Sequence, residues 1–251
     1  PWFEQRGIDA VVMPMGVQSE DYPAVLKSLF KLTNLRGVLV TMPHKVTSAG
    51  LVDECTTTVK IAGSCNAILK RPDGTLCGDM FDGTGFARGL RHKGFAFGGA
   101  KCLVVGTGGV GSAIAASLAA EGVASISLCD IDRVPAEGLA TRLRNHYPRL
   151  AVDVRGSDPA GYDLVVNATP LGMKPDDPLP FDVTRLAPAT FVGEVVMKEE
   201  ITPMLRAAQD RGCPFVVGTD MLFEMIPAYL EFFGFGTAAP EELRAVARVA
   251  Y

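Results

Sequence analysis

Gly106, Gly108, Gly109 and Gly111 stand between an apolar run, Cys102 to Val105, and a small-residue segment, Ser112 to Glu121. A second apolar run, Ser125 to Cys129, ends at Asp130, 19 residues after Gly111. This order of strand, glycine turn, helix, strand and acid is that of a dinucleotide-binding βαβ unit. Gly106 permits the tight turn, Gly108 lets backbone N–H groups approach a pyrophosphate, and Gly111 lets the helix pack closely on the strand. Gly109 and Val110 complete the loop. The pyrophosphate belongs at the helix N-terminus, where free N–H groups and the dipole favour an anion. An acid at the end of the second strand accepts hydrogen bonds from both ribose hydroxyls of NAD and repels the 2′-phosphate of NADP. Asp130 therefore predicts NAD in preference to NADP. Arg133, three residues on, reads equally well as a solvated loop charge. A glycine-rich turn of some other α/β fold is the alternative for the loop as a whole.

Upstream, three segments interrupt apolar runs with polar residues at strand ends. In Val40-Thr41-Met42-Pro43-His44-Lys45 a strand ends, Pro43 fixes a turn and Lys45 opens a helix. A cation in a first helical turn opposes the dipole, which suits a proton-transferring amine; an ordinary solvated lysine fits the same pattern. In Gly63-Ser64-Cys65-Asn66-Ala67 an Asn sits in an apolar stretch. If buried it must find hydrogen-bond partners, in a site or as the cap of a neighbouring loop. Between Gly78 and Phe86, Asp82 precedes a predicted helix, and its local reading is an N-cap.

These side chains need a frame. The chain has 251 residues, enough for one large domain or two small ones, and its 48% apolar content is ample for a core. A net charge of −4 gives no electrostatic case for nucleic acid or an anionic membrane. The uncharged run from Cys102 to Ala120 is too rich in Gly and Ala for a membrane span, and no signal peptide is visible. Six cysteines show no CxxC or zinc spacing, and Cys102 and Cys129 fall in predicted buried strands. A reducing, cytoplasmic location is expected. His44, His92 and His146 are scattered, so no metal site is expected. The chain begins at Pro1, and Trp2-Phe3-Glu4-Gln5 reads as a helix interior, so some native N-terminal sequence is expected to precede this numbering.

Periodicity predicts strands at Ile8–Met13 and Gly37–Thr41, and helices at Tyr22–Lys31 and Lys45–Val52. Ala62–Lys70 and Thr75–Cys77 read as a strand pair around the turn Arg71-Pro72-Asp73-Gly74. After Asp130 the pattern predicts a helix (Pro135–His146), strands (Ala151–Val154, Tyr162–Asn167 and Thr190–Val196), a helix (Ile201–Arg211) and a closing strand (Pro214–Val217). Two helices, Met221–Phe233 and Glu241–Tyr251, end the chain. Parallel strands with crossover helices imply a doubly wound sheet covered on both faces.

Taken together, these segments resemble the shikimate dehydrogenase family over nearly the whole chain. The family patterns match Val40 to Lys45, Gly63 to Asn66, Asp82 to Phe86, Gly106 to Gly111, Asn167 to Met173 and Gly218 to Leu222, in order and spacing. The resemblance implies an α/β enzyme of two domains. Residues 1–82 with 218–251 would bind substrate, and 83–217 would form a Rossmann-type, doubly wound nucleotide domain. The C-terminal helices would return to the first domain. Lys45 and Asp82 would be the catalytic pair, with the proton carrier open between them, and Thr41 and Asn66 would contact substrate hydroxyls. Asn167, Thr169 and Met173 would lie near the nicotinamide. The partner implied is a small cyclic hydroxy acid, shikimate or quinate, and a homodimer is compatible with the sequence.

Several positions depart from the family. Met80-Phe81 replaces Asn-Thr before the acid, Met197 stands where a Tyr is common, and Met225 where a Gln is usual. The serine pair that grips the carboxylate falls upstream of Pro1. Methionine for a hydrogen-bonding group predicts a more apolar, more adaptable pocket. Three alternatives remain at this level. They are a related dehydrogenase for a less polar ring alcohol, a reductase of another class on a two-domain frame such as a methylene-tetrahydrofolate dehydrogenase, and a nucleotide-binding sensor without turnover.

Overall fold

The computed structural model describes residues 1–247 as two β-sheets with helices packed between and around them. The first part contains α1 (Trp2–Gln5), α2 (Tyr22–Leu29), β1 (Gly37–Leu39), α3 (Lys45–Ala49), β2 (Glu54–Cys55), α4 (Thr57–Ala62), β3 (Ala67–Lys70) and β4 (Leu76–Asp79). Its sheet runs β1-β3-β4-β2, with β1 and β4 antiparallel to β3 and β2 parallel to β4. Leu26, Val38, Ile68 and Met80 form its core.

Two local predictions fail here for physical reasons. Ile8–Met13 forms no strand. Its backbone bonds are local, such as Ala10 N–H to the Ile8 carbonyl at 2.9 Å, and Val11, Val12 and Met13 are exposed. A strand requires a neighbour for its rows of N–H and C=O groups, and alternation alone cannot provide one. The strand expected from Ala62 begins only at Ala67, because α4 occupies the preceding residues. Thr56 caps α4 by accepting from Val59 N–H, and Gly63 at φ +67° ends it in the left-handed conformation.

The second part contains α5 (Asp82–His92), β5 (Lys101–Val105), α6 (Gly109–Ala120), β6 (Ser125–Cys129), α7 (Arg133–His146), β7 (Ala151–Val154) and β8 (Leu164–Asn167). A 3₁₀ turn at Val183–Arg185, β9 (Phe191–Glu194), α8 (Pro203–Asp210), β10 (Phe215–Val216), α9 (Gly218–Phe232) and α10 (Pro240–Val246) complete it. Residues 248–251, the end of the predicted last helix, lie outside the described residues. All six strands of the second sheet are parallel, in the order β10-β9-β8-β5-β6-β7. Alternation assigns their faces. Cys102, Val104, Ile126 and Val166 pack with α5, α6 and α7, while Leu103, Val105, Val165 and Val192 pack with α8 on the other face. The chain leaves β5 in one direction and β8 in the other. The crevice at their carboxyl ends is the topological switch point where ligands of such sheets bind.

Helix α9 returns to the first sheet. Met225 and Ala228 pack with Ala67 and Phe81, and Arg36 Nε donates to the Phe233 carbonyl at 2.7 Å. All six cysteines are free thiols, and burial pushes Cys65 and Cys102 up to about 12, so both are protonated packing groups. Among the described residues, no helix is long and apolar enough to cross a membrane, and no group of three or more His, Cys, Asp or Glu is placed to hold a metal ion.

Candidate active site

The glycine loop occupies the switch point. Gly106 has φ +96°, and a Cβ there would lie 2.7 Å from the Ala168 backbone at the end of β8. A Cβ at Gly111 would overlap the Gly106 carbonyl oxygen. Gly108 is the N-cap of α6 and has open space around it, so the free N–H groups of that helix face an accessible crevice. The cradle fits a dinucleotide pyrophosphate. Val110, within the first turn of α6, packs against the core.

Asp130 ends β6 beside this loop. Its Oδ2 accepts from Thr107 N–H at 2.6 Å and Thr107 Oγ1 at 2.7 Å, and its Oδ1 accepts from Asp132 N–H at 3.1 Å. Burial alone would raise its pKa, but these bonds together hold the carboxyl below its ordinary value. It is a half-buried, ionised acid at the end of β6, beside the glycine loop. Arg133 opens α7 and pairs with Glu137 at 3.1 Å, one turn along its own helix.

The polar residues of the first sheet converge on one point. A turn closed by His44 N–H to the Thr41 carbonyl, 3.0 Å, carries the chain from β1 to α3, and leaves Thr41 exposed at the strand end. Lys45 opens α3, and its carbonyl accepts from Cys65 N–H at 2.8 Å, which ties the helix to the segment carrying Asn66. Lys45 Nζ lies 2.5 Å from Asp82 Oδ2, and Asn66 Nδ2 donates to Asp82 Oδ1 at 2.8 Å. Asn66 Oδ1 accepts from Phe81 N–H at 2.9 Å, so the Asn grips both the acid and the backbone just before it. The side chains of Lys45 and Asp82 are 13% and 3% exposed. Asp82 is thus no N-cap. Phe81 caps α5 through its backbone alone, and both oxygens of Asp82 are engaged by residues from other elements.

This cluster adjoins the glycine loop. Ser64 Oγ donates to the Gly109 carbonyl at 3.3 Å, and a Cβ at Gly109 would lie 3.9 Å from Lys45 Cβ. Ser64 was not singled out from sequence, because nothing local distinguishes a serine beside a helix-ending glycine.

The departures from the family divide in space. Met80 is fully buried in the first core and lines no pocket, which corrects the expectation that it would. Met197 is 44% exposed, and Met225 is buried with its Sδ 3.9 Å from Asn66 Nδ2. Only Met225 brings an apolar group to the polar cluster.

The end of β8 is organised by a residue the sequence reading missed. Glu194, at the end of β9, is fully buried. It accepts from Asn167 Nδ2 at 3.0 Å, Val195 and Val196 N–H at 2.8 and 3.0 Å, and Thr202 Oγ1 at 3.0 Å. Asn167 Oδ1 in turn accepts from Thr169 N–H and Oγ1, at 3.1 and 2.6 Å. Asn167 therefore shapes the turn that presents Thr169, and Met173 stands exposed beyond it. The available signal was a single acid ending an apolar strand. Burial pushes the Glu194 carboxyl up despite its donors. A raised folded value means that the native state holds the proton more tightly than the unfolded chain. The contribution of Glu194 is therefore most favourable at low pH and declines as the pH climbs from the ordinary carboxylate value through the raised one. Glu194→Gln should remove this decline. Urea unfolding at a series of pH values, compared with the parent chain, checks it, and parallel stability profiles would refute it.

A switch-point glycine cradle, an acid ending the next strand and a buried Lys–Asp pair beside them define a dinucleotide-dependent oxidoreductase. The family model for the shikimate dehydrogenase substrate-binding domain matches residues 1–68, and that of the ThiF family matches 97–143, the span of the glycine loop. A curated shikimate dehydrogenase (NADP(+)) from Acidiphilium cryptum is 34% identical over 98% of this chain and 88% of its own. The crystal structure of shikimate 5-dehydrogenase from Listeria monocytogenes, in complex with shikimate and NAD, superimposes with a TM-score of 0.88 at 26% identity, covering 97% of this chain and 88% of that one. Quinate dehydrogenase from Corynebacterium glutamicum, in complex with NAD, gives 0.85 at 28% identity over 97% and 89%. The chain belongs to the shikimate dehydrogenase family.

Proposed function

We propose that this protein interconverts a shikimate-like cyclic hydroxy acid, shikimate or quinate, and its ring ketone, using NAD in preference to NADP. The buried Lys45–Asp82 pair set against the glycine loop carries this reading. Residues 1–82 and 218–251 are read as the substrate-binding unit and 83–217 as the dinucleotide unit, with the reaction in the cleft between them.

The dinucleotide, when bound, supplies the carbon that accepts or returns hydride. The chain supplies position and the proton. Both Asp82 oxygens are occupied, whereas the Lys45 amine keeps N–H bonds free and is the more exposed of the two. Lys45 is therefore assigned the proton. In ketone reduction its ammonium gives a proton to the carbonyl oxygen as hydride reaches the carbon, and in oxidation the neutral amine takes the hydroxyl proton back. Asp82 aims the amine. Asn66 aims Asp82 and offers substrate only its remaining Oδ1 lone pair. Thr41 is assigned to a substrate hydroxyl, and Asn167, Thr169 and Met173 to the nicotinamide side of the cleft. Met225 beside Asn66 favours a second reading, a less polar ring alcohol, for the same chemistry.

Initial rates with shikimate and with quinate, each with NAD and with NADP, test the proposal. Turnover of either acid is expected, faster with NAD. Silence on both with NAD still bound would redirect the search to less polar ring alcohols or to a sensor role. Asp130→Asn keeps an oxygen for Thr107 and removes the charge. Its ratio of kcat/KM for NAD over NADP should fall by roughly tenfold or more, since charge-assisted bonds to ribose weaken and repulsion of the 2′-phosphate disappears. An unchanged ratio would remove Asp130 as the selector.

A further inference from the structure

One turn beyond Met225 on the same face of α9 stands Tyr229, a residue that the chemistry above does not use. Its ring packs edge-on against Phe81, with centroids 5.3 Å apart and planes at 79°. Phe81 is the residue whose N–H is held by Asn66 and which immediately precedes Asp82. Met225, one turn earlier, sets its Sδ 3.9 Å from Asn66 Nδ2, so this face of α9 borders the polar cluster. Burial, and then the Asp82 charge, push the phenol well above its ordinary value, against the Asn66 bond that lowers it. The hydroxyl therefore stays protonated and keeps its proton to donate. Around it the wall is apolar: Met225, Phe81 and Phe232.

We propose that Tyr229 is a specificity-determining residue, whose hydroxyl donates to a ring hydroxyl of the substrate on a carbon next to the reacting one. This rests on the ring hydroxy acid reading above. The geometry is suited to it. Asp82 and Asn66 fix Lys45 at the reacting oxygen, and Tyr229 borders that same pair from the α9 side. A neighbouring hydroxyl would meet the phenol when the reacting oxygen meets the amine. An otherwise apolar wall then still distinguishes a polyhydroxylated ring from its deoxy analogue, because a site built to pair a hydroxyl discriminates against the analogue lacking it.

Tyr229→Phe tests this, since it keeps the ring and its packing on Phe81. With the better of shikimate and quinate, KM should rise roughly 3- to 10-fold, the effect of one neutral hydrogen bond. The kcat should stay within about threefold and KM for NAD should not change. For the analogue lacking the paired hydroxyl, parent and variant should share one KM. An unchanged KM for the full substrate would overturn the proposal. So would a fall in kcat with a displaced pH–rate profile, which would instead assign the phenol to positioning Asp82. A parent protein inactive on both ring acids would sink the functional reading, and Tyr229 as its reader along with it. That result is distinct from an active parent whose variant matches it.

Discussion

Lys45→Ala lowers kcat by roughly 10²–10⁴-fold, the usual worth of general acid–base help. Dinucleotide affinity should stay close to that of the parent chain, because the glycine cradle is built by other residues. The same substitution strips Asp82 of its counter-charge while the carboxylate is only 3% exposed. An uncompensated buried charge costs about 3–5 kcal/mol, so Lys45→Ala is also expected to lower the unfolding temperature. The two losses separate in a cycle. Asp82→Asn on the Lys45→Ala background removes the orphaned charge and should recover much of the stability, since Asn66 still has an oxygen to donate to, but it should recover no turnover. Steady-state rates and thermal unfolding of the two single variants and the double variant check this. A stable double variant that turns over at the parental rate would show that the pair is a structural ion pair and nothing more.

Gly111→Ala is the second large expected effect. A methyl group at Gly111 would overlap the Gly106 carbonyl oxygen and lie 3.1 Å from Ala168 Cβ, and the clash is with backbone that has no rotamer to change. Overpacking of this kind costs on the order of 1–3 kcal/mol, and here the strain falls on the loop that must face the pyrophosphate. NAD affinity should drop by about two decades or more, a shift of ~3 kcal/mol in binding, together with a loss of thermal stability. Gly108→Ala is the informative contrast. Nothing lies within 4 Å of a Cβ there and its φ is −64°, so the fold should be retained. The added methyl would instead stand where the pyrophosphate must approach, so NAD binding alone should suffer. Calorimetric titration with NAD and unfolding scans with and without it check both. Gly111→Ala protein that binds NAD as the parent does would falsify the assignment of this loop.

Much of the fold was legible because it rests on short-range rules. Strand β5, the glycine loop and α6 occupy consecutive residues, and Gly106 and Gly111 are each required by a close backbone contact within this unit or at the neighbouring strand end. The doubly wound sheet expected from parallel strands with crossover helices is present, with β5 and β8 buried on both faces. Ile8–Met13 was misread because alternation describes a side-chain pattern, while a strand exists only if another backbone lies alongside. Helix α4 was missed because its signals, Thr56 and Gly63, sit inside a segment whose apolar residues also suit a strand.

Residue type and spacing along the chain are sufficient to specify the dinucleotide cradle, the acid that ends β6, and a lysine opening a helix after a proline turn. They are insufficient to specify the site, because its partners are remote in sequence. Asp82 is 37 residues from Lys45 and 16 from Asn66, and Met225 is 159 residues from Asn66. Only the packing of α3 against the Cys65 backbone and the return of α9 bring them together. That packing makes Asp82 an ion-pair partner instead of a helix cap, sends Met80 into a core while Met225 reaches the polar cluster, and seats Tyr229 against Phe81. Such outcomes depend on which faces meet, and burial against distant elements decides that.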